Sequence, residues 1–261
     1  MKNKFIVHGL KRSGNHAIIN WLKSHEDFYF FNNIIPIGEI LSGKKKLREP
    51  ENFNDWFRRK ALPKHLPLAS LLMRPIISKR SLIVSIEDHP ADIRPFLDLP
   101  SDFFNILILR DPYNLFSSRI RKASGINHPA YPNQLGPHMD RVLNLWKSHA
   151  REYLGQTDTL TNKVCIYYNE WFTNREYRKN ISKNLNLKFT DDGYSMVSTT
   201  GGGSSFDSTN FDGNNNQMNV LDRKSDLSPK ERELWEATID DSELHSLALQ
   251  VSNYTASKSR L

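Results

Sequence analysis

Two glycines near the amino terminus have the spacing of a loop that binds phosphate. Gly9 and Gly14 form a G-x-x-x-x-G pattern between a short apolar run and an amphipathic segment. In such a loop, backbone N–H groups and the start of the next helix face an anion. A loop that binds ATP with magnesium needs Lys and then Ser or Thr directly after the second glycine, but Asn15 and His16 occupy these places. The pattern therefore predicts an anion site without a working ATP motif.

A second candidate for anion binding is an arginine at the end of a predicted strand. Arg110 follows the apolar run 104–109, and Ser118 lies eight residues later in a predicted helix. A guanidinium group can donate two hydrogen bonds to one phosphate, and a hydroxyl group on the following helix can add another. The alternative interpretation is that Arg110 forms a salt bridge that caps a helix.

The elements that carry these residues alternate between strand and helix. Apolar runs predict strands over residues 4–8, 82–86, 104–109 and 164–167. Apolar residues at helical spacing predict helices over residues 17–22, from 112 after an N-cap at Asp111, over 139–153, from about 171 to 184, and one or two over 228–254. This alternation is typical of a layered α/β fold with a central, mainly parallel sheet. We expect one domain over residues 1–261.

Two segments interrupt this order. Prolines break residues 24–80, which we interpret as an insertion that shapes an acceptor site. Within it, residues 44–80 hold eleven Lys and Arg against three Asp and Glu. This charge predicts a patch that binds an anionic acceptor, a phospholipid surface or nucleic acid, or else a solvated basic surface. Residues 198–219, rich in Gly, Asn and Ser, predict a flexible linker or a loop that packs through Phe206 and Phe211.

The composition excludes several classes of protein. The chain has 261 residues, a net charge of +7 and one cysteine, Cys165, so neither an internal disulfide nor a multi-cysteine metal site can form. The amino-terminal apolar run is too short for a signal peptide, and no run approaches a membrane span. We expect a cytoplasmic protein that is at most peripheral to a membrane and holds no metal.

The loop resembles that of the sulfotransferase family, which reads Lys/Arg-Ser-Gly-Thr-Thr and holds the 5′-phosphosulfate of 3′-phosphoadenosine 5′-phosphosulfate (PAPS). Arg12, Ser13 and Gly14 match this loop, whereas Asn15 and His16 replace its threonines. The resemblance implies a P-loop NTPase-like three-layer sandwich and places Arg12 against the phosphate and the bridging oxygen of the leaving group. The donor-binding residues implied in the loop are Lys11, Arg12, Ser13, Gly14, Asn15 and His16.

Further motifs extend the resemblance along the chain. The family binds the 3′-phosphate with an Arg at a strand end and a Ser eight residues later, which match Arg110 and Ser118. Arg223 matches a late basic loop over the 3′-phosphate, although Ser225 stands where the family has glycine. Weaker similarities are residues 167–171, which match the family's Tyr-Glu-Asp-Leu segment, and residues 204–206, which match its Thr-x-Phe segment and imply that Phe206 packs near adenine.

Sulfuryl transfer needs a base that takes the proton of the acceptor. The family has His or Glu just after the strand that follows the insertion, and this position matches Glu87, with His89 two residues later. We favour Glu87 over His89, and the alternative is a polar turn before Pro90. His16 could act as an acid or bind the sulfonate, and both roles stay open.

The sequence thus favours a metal-independent sulfotransferase that uses PAPS and a hydroxyl acceptor, with a carbohydrate or glycolipid as the expected acceptor. One alternative is a P-loop-type nucleotide-dependent kinase, which the missing Lys-Ser/Thr pair argues against. Another is a non-catalytic protein that binds nucleic acid or an anionic surface through residues 44–80. Few aromatic residues accompany that charge, so we do not expect nucleic acid as a partner.

Overall fold

The computed structural model describes residues 3–33, 81–92, 103–124, 137–197 and 203–258. The basic segment 44–80 and residues 198–202 of the Gly-rich loop lie outside the described residues. The functions considered above for the basic segment therefore stay predictions.

Five parallel strands form the central sheet of the described residues. They are β1 (Lys4–Gly9), β2 (Phe28–Phe31), β3 (Ser81–Glu87), β4 (Phe104–Leu109) and β5 (Lys163–Tyr167). Their order is β2-β3-β1-β4-β5, and every neighbouring pair is parallel. The central strands are apolar almost throughout, because a parallel sheet is covered on both faces.

Seven helices lie around this sheet within the described residues. They are α1 (Asn15–Lys23), α2 (Pro112–Ser124), α3 (Pro137–Tyr153), α4 (Tyr168–Thr173), α5 (Arg175–Asn184), α6 (Pro229–Ile239) and α7 (Ser242–Lys258). Local signals explain where two of them begin. Asp111 Oδ1 accepts the N–H of Asn114 at 2.8 Å at the start of α2, and Ser228 and Glu231 form a capping box at the start of α6.

Apolar side chains alternate between the two faces of the sheet and build a core on each. On β4, Leu107 and Leu109 pack with α2, α3, α6 and α7, whereas Ile106 and Ile108 pack with α1, α4 and α5. This alternation follows from the two-residue period of a strand. Helices therefore cover both faces, and the predicted fold class, a three-layer α/β sandwich with a parallel sheet, is confirmed.

The predicted helix from about 171 to 184 is wrong in its extent. Helix α4 begins at Tyr168, and Asn174 separates it from α5. Asn174 adopts an extended backbone conformation, and its side chain accepts the N–H of Tyr177 at 3.1 Å. An asparagine in this arrangement caps the second helix and thereby ends the first. Strand β2 is absent from the predicted elements, because it lies within the segment interpreted as an insertion.

The described part of the Gly-, Asn- and Ser-rich loop packs against the rest of the protein. Ser204 and Ser208 form an isolated antiparallel bridge. Residues Asn215–Gln217 form a 3-10 turn, and Asn215 Nδ2 donates to the Tyr194 carbonyl at 2.6 Å. Phe206 packs against the core beside α2. Of the two interpretations of this loop, the packed one applies to residues 203–219.

The carboxyl ends of three strands bring the candidate residues to one edge of the sheet. The loop 9–14 follows β1, the residues 87–89 end and follow β3, and Arg110 follows β4. In the strand register, Gly9 lies beside both Glu87 of β3 and Ile108 of β4. Open α/β sheets bind ligands at this edge, at the point where the connections reverse direction.

Candidate anion-binding site

The loop between β1 and α1 requires glycine at its end. Gly14 has a φ of 84° and is the N-cap of α1, without a capping side chain. A Cβ atom at Gly14 would lie 2.1 Å from the ring of Tyr168, so both the backbone conformation and the packing exclude a larger residue. Helix α1 thus begins without a side-chain cap, and the helix dipole favours an anion at such an end.

Side chains from outside the loop hold its backbone. Arg119 Nη1 donates to the Lys11 carbonyl at 3.0 Å, and Arg110 Nη1 donates to the Arg12 carbonyl at 3.0 Å. The Lys11 N–H in turn donates to Asp88 Oδ1 at 2.9 Å. Arg12 has a φ of 74°, a conformation that persists in a residue other than glycine only when its surroundings determine it.

Ser13 has a buried hydroxyl group inside this loop. The residue is 1% exposed, and its Oγ has no hydrogen-bond partner among the described residues. A buried hydroxyl group without a partner carries a cost of about 1–3 kcal/mol. An anion at the amino terminus of α1 would remove this cost by accepting its hydrogen bond.

Arg110 is a buried cation that points back to the loop of residues 9–14, which is called the phosphate loop below after the anion site predicted there. The residue is 5% exposed, and it donates to the carbonyls of Arg12 and Val220. Its Nη1 also lies 3.5 Å from Ser118 Oγ, and its Nε has no hydrogen-bond partner among the described residues. Burial lowers the pKa of Arg110, and the nearby Arg223 lowers it further.

No carboxylate of the described residues lies within ion-pair distance of Arg110, which contradicts the salt-bridge interpretation within those residues. Arg178 shows how this fold satisfies a buried structural arginine. It is also 5% exposed, but it forms two hydrogen bonds to Asp191, at 2.8 and 3.0 Å. Both arginines stack on a tyrosine ring, Arg110 on Tyr168 and Arg178 on Tyr194. Arg110 differs because no described carboxylate lies within ion-pair distance of it, although the charge of Asp111 raises its pKa from further away. An anionic ligand would supply such a partner.

Three guanidinium groups lie around Tyr168. The guanidinium carbon of Arg110 lies 4.9 Å from the centroid of the Tyr168 ring. Burial raises the pKa of the Tyr168 hydroxyl group, and the charges of Arg110, Arg223 and Arg12 oppose this rise. Among the charges that act on Tyr168, the three guanidinium groups outnumber the one carboxylate, Asp111, and positive charge of this kind attracts a phosphorylated ligand.

Arg223 reaches this region from a loop near the carboxyl end of the chain. Its Nη2 donates to Asp207 Oδ2 at 2.5 Å and to Ser204 Oγ at 3.3 Å. The guanidinium carbons of Arg223 and Arg121 lie 4.8 and 4.9 Å from the centroid of the Phe206 ring. Phe206 therefore packs against two cations, and its role beside adenine stays a prediction.

Glu87 ends β3 and faces the phosphate loop. Asn15 Nδ2 donates to Glu87 Oε1 at 2.8 Å, and His16 Nε2 lies 3.9 Å from the same oxygen. The Glu87 N–H donates to Asn33 Oδ1 at 3.2 Å, which fixes the backbone. A carboxylate held beside an anion site has the position that a general base needs.

His89 has different surroundings. Its imidazole forms no hydrogen bond with the described residues, and burial lowers its pKa, which the charge of Arg141 lowers further. The His89 carbonyl lies 3.0 Å from His149 Nε2. Of the two predicted bases, Glu87 is the one that hydrogen-bonds to Asn15, the first residue of α1.

The sequence analysis assigns no role to Asp88 and Arg119, which join β3, the loop and α2. Arg119 donates two hydrogen bonds to the Asp88 carboxylate, at 2.9 and 3.1 Å, and Lys11 Nζ lies 3.7 Å from it. Burial raises the pKa of Asp88, but Arg119 and Lys11 outweigh burial and lower it to about 2. The two partners are 31 residues apart, so no local pattern could have revealed the pair.

The described residues contain neither a candidate metal cluster nor a candidate membrane-spanning helix. No group of three or more His, Cys, Asp or Glu side chains in the described ranges could hold a metal ion. No helix there is both long and apolar enough to cross a bilayer.

Burial raises the pKa of the Cys165 thiol to about 12, so this thiol is protonated near neutral pH and is not a reactive nucleophile.

Comparison with solved structures identifies the fold. The chain superimposes on the sulfotransferase domain from the curacin biosynthetic pathway with a TM-score of 0.51 and 16% sequence identity, covering 97% of this chain and 98% of that one. The sulfotransferase domain of the Synechococcus PCC 7002 olefin synthase is less similar, with a TM-score of 0.48 and 15% sequence identity over 97% of this chain and 96% of that one. Mouse sulfotransferase SULT7A1 complexed with PAP has a TM-score of 0.46 and 16% sequence identity over 97% of this chain and 89% of that one. No family model and no curated protein sequence matches the chain. The protein has the sulfotransferase fold.

Proposed function

We propose that this protein is a sulfotransferase that moves a sulfuryl group from PAPS to a hydroxyl group of an acceptor. The observation that carries the proposal is Arg110, a buried cation bonded to the phosphate loop and without a carboxylate partner in the described residues. The unpartnered Ser13 Oγ and Arg110 Nε suit a ligand with more than one anionic group. PAPS has such groups at both its 3′ and 5′ positions.

The 5′-phosphosulfate would lie at the amino terminus of α1. Ser13 would donate its hydroxyl hydrogen to a phosphate oxygen, and the uncapped first turn of α1 would face the same group. Arg12 would lie against the bridging oxygen, where negative charge develops as the sulfuryl group leaves. The fixed loop backbone supports these roles, because a preorganised site does not have to rearrange during the reaction.

The 3′-phosphate would bind between Arg110 and Arg223, with Ser118 as a further donor. The short link from Arg110 to Ser118 supports this role, since both can donate to one phosphate. Arg223 is 2% exposed and shares its charge with Asp207. A bound phosphate would thus face two buried guanidinium groups, only one of which has a carboxylate partner in the described residues.

Glu87 would act as the base. It would take the proton of the acceptor hydroxyl group as the acceptor oxygen bonds to sulfur and the bond from sulfur to the bridging oxygen breaks. The product 3′-phosphoadenosine 5′-phosphate (PAP) would then leave with the electron pair of that bond. This step needs no metal, because the loop and Arg12 would stabilise the negative charge that develops on the leaving group.

The acceptor proposed from the sequence is a carbohydrate or glycolipid. This choice rests on the basic segment 44–80, which would attract an anionic acceptor. A panel of sulfated and unsulfated sugars, glycolipids and simple phenols with radiolabelled PAPS would test it. Transfer only to phenols would overturn the acceptor class and leave the reaction class intact.

The first experiment is calorimetric titration with PAP, in parallel with ATP and magnesium. We expect micromolar binding of PAP alone. Arg110→Lys keeps the charge but loses the planar donor pair, and a lost charge-assisted hydrogen bond of about 1.5–3 kcal/mol weakens binding about 10- to 150-fold. Arg178→Lys is the matched control and should retain PAP affinity.

Other outcomes would redirect the assignment. Binding of ATP with magnesium and not PAP would favour the kinase alternative. Equal PAP affinity of wild type and Arg110→Lys would refute the 3′-phosphate site. Separately, Glu87→Gln should lower turnover and leave PAP affinity nearly unchanged, and a parallel loss of both would show that Glu87 is not simply the base.

A further inference from the structure

Asn15 forms contacts that differ from those expected of a residue that binds PAPS. The residue is 3% exposed, and its amide nitrogen donates to the Leu10 carbonyl at 3.0 Å and to Glu87 Oε1 at 2.8 Å. An asparagine amide carries two hydrogens, and these two bonds use both. The Asn15 side chain therefore has no remaining donor for a phosphate or sulfonate oxygen.

The same contacts lock Asn15 in place. A Cβ atom on Gly9 would lie 2.3 Å from Asn15 Oδ1, so the side chain fits against the backbone of the loop only because residue 9 is glycine. Leu10, which accepts one of the two bonds, lies within the phosphate loop itself. Asn15 thus connects the loop backbone directly to the carboxylate of Glu87.

This contact orients the carboxylate. Oε1 accepts from Asn15, and His16 Nε2 lies 3.9 Å from the same oxygen. Oε2 has no hydrogen-bond partner among the described residues. One oxygen is thus held by the loop, while the other can accept a proton.

We propose that Asn15 is a positioning residue that holds Glu87 in the orientation for proton transfer and ties that orientation to the phosphate loop. The inference rests on the proposed function and deepens it by separating donor binding from base orientation. It departs from the family resemblance, which implies that residue 15 binds PAPS. If residue 15 binds PAPS, its replacement weakens PAP binding, whereas a positioning role leaves PAP binding nearly unchanged.

The test uses Asn15→Ala and measures PAP affinity and turnover in the protein of 261 residues. PAP affinity, measured by calorimetry, should stay within about twofold of wild type. Turnover of radiolabelled PAPS, with the best acceptor of the panel, should fall about 10- to 100-fold, because a misplaced base loses most of its advantage. A loss of PAP affinity of about tenfold or more would overturn the inference, as would unchanged turnover.

Asn15→Asp provides a second readout, which tests whether residue 15 contacts the group that limits turnover at acidic pH. It keeps the side-chain shape and places a second carboxylate beside Glu87, and two adjacent carboxylates retain a shared proton to higher pH. The acidic limb of the pH–turnover profile should therefore move to higher pH. Among the described residues, His16 Nε2 lies 3.9 Å from Glu87 Oε1 and Asp88 is the next residue in the chain, and both are the same in the two proteins.

Asn105→Ala is the matched control for loss of a buried asparagine. Asn105 is fully buried on β4, where its amide donates to the Thr161 carbonyl at 2.6 Å. This variant should lower the free energy of unfolding without moving the pH profile. An equal change in the pH profiles of Asn105→Ala and Asn15→Asp would refute the positioning role. If wild type binds PAP but transfers sulfuryl to no acceptor, the proposed function itself fails.

Discussion

Replacing Asp88 with Asn removes one negative charge at the junction of the loop, β3 and α2. Asparagine has nearly the same shape as aspartate and also tolerates the positive φ of 59° found at this position. The substitution therefore leaves the backbone conformation accessible. It removes the carboxylate to which the buried Arg119 donates two hydrogen bonds.

The pKa of Asp88 sets the size of the effect. It falls from 3.8 to about 2 on folding, which corresponds to about 2.4 kcal/mol of stabilisation near neutral pH. Breaking a buried pair by removing one partner costs about 3–5 kcal/mol in other proteins. We therefore expect Asp88→Asn to lower the free energy of unfolding by about 2–4 kcal/mol, and the melting temperature by about 5–15 °C.

The sign of the pH dependence follows from the depressed pKa. The carboxylate stabilises the folded state fully above the unfolded pKa of 3.8, and this contribution disappears as pH falls towards the folded pKa of about 2. The difference between wild type and Asp88→Asn should be constant from about pH 7 to pH 5. At about pH 3 it should be reduced by about 1 kcal/mol.

Urea unfolding followed by fluorescence at several pH values measures this difference. Asp158→Asn is the control, because the Asp158 side chain is 89% exposed and surface substitutions change stability by about 0.5 kcal/mol or less. A difference between wild type and Asp88→Asn below about 1 kcal/mol near neutral pH would refute the reasoning. A difference that does not shrink on acidification would refute its electrostatic cause.

Three further predictions concern the loop and the chemistry. Gly155→Ala should lower the free energy of unfolding by about 1–2 kcal/mol, since Gly155 has a φ of 72° with open space around it. Gly14→Ala should lower it by at least about 1 kcal/mol more in the same urea assay, because the Tyr168 ring must also move. Ser13→Ala should weaken PAP binding about 5- to 10-fold by calorimetry, while an unfolding free energy reduced by more than about 1 kcal/mol would show that the hydroxyl group is structural. Turnover should be unchanged by a chelator, and its loss would contradict metal-independent transfer.

The strands and most helices could be predicted because their signals are local. Leu107 and Leu109 belong to one uninterrupted apolar run with Ile106 and Ile108, and such a run is typical of a strand buried on both faces. The start of α2 was similarly indicated by its cap residue and the following proline. The division between α4 and α5 was missed, because one asparagine in an otherwise charged segment gives no periodic signal.

The candidate site divides in the same way. The phosphate loop and the Arg110–Ser118 spacing are patterns within a few residues, so the sequence indicates them. The contacts of Asp88 with Arg119 and of Glu87 with Asn15 join residues 31 and 72 positions apart. Only the pairing of β1 with β3 and the packing of α2 bring these groups together.

The parallel pairing of β1 with β3 has a consequence for how this protein can change. The phosphate loop follows β1 and Glu87 ends β3, which are adjacent strands, so the ladder of backbone hydrogen bonds sets the separation of the two groups. Strands β2 and β3 pair within the same sheet, and closing a connection between two strands costs about 0.6 kcal/mol more for each doubling of its length. We therefore expect a change in the length of that connection to cost little free energy and to leave Glu87 in register with the loop after β1. Under the proposed function, related sequences would therefore differ in their acceptors while they keep the residues proposed for transfer.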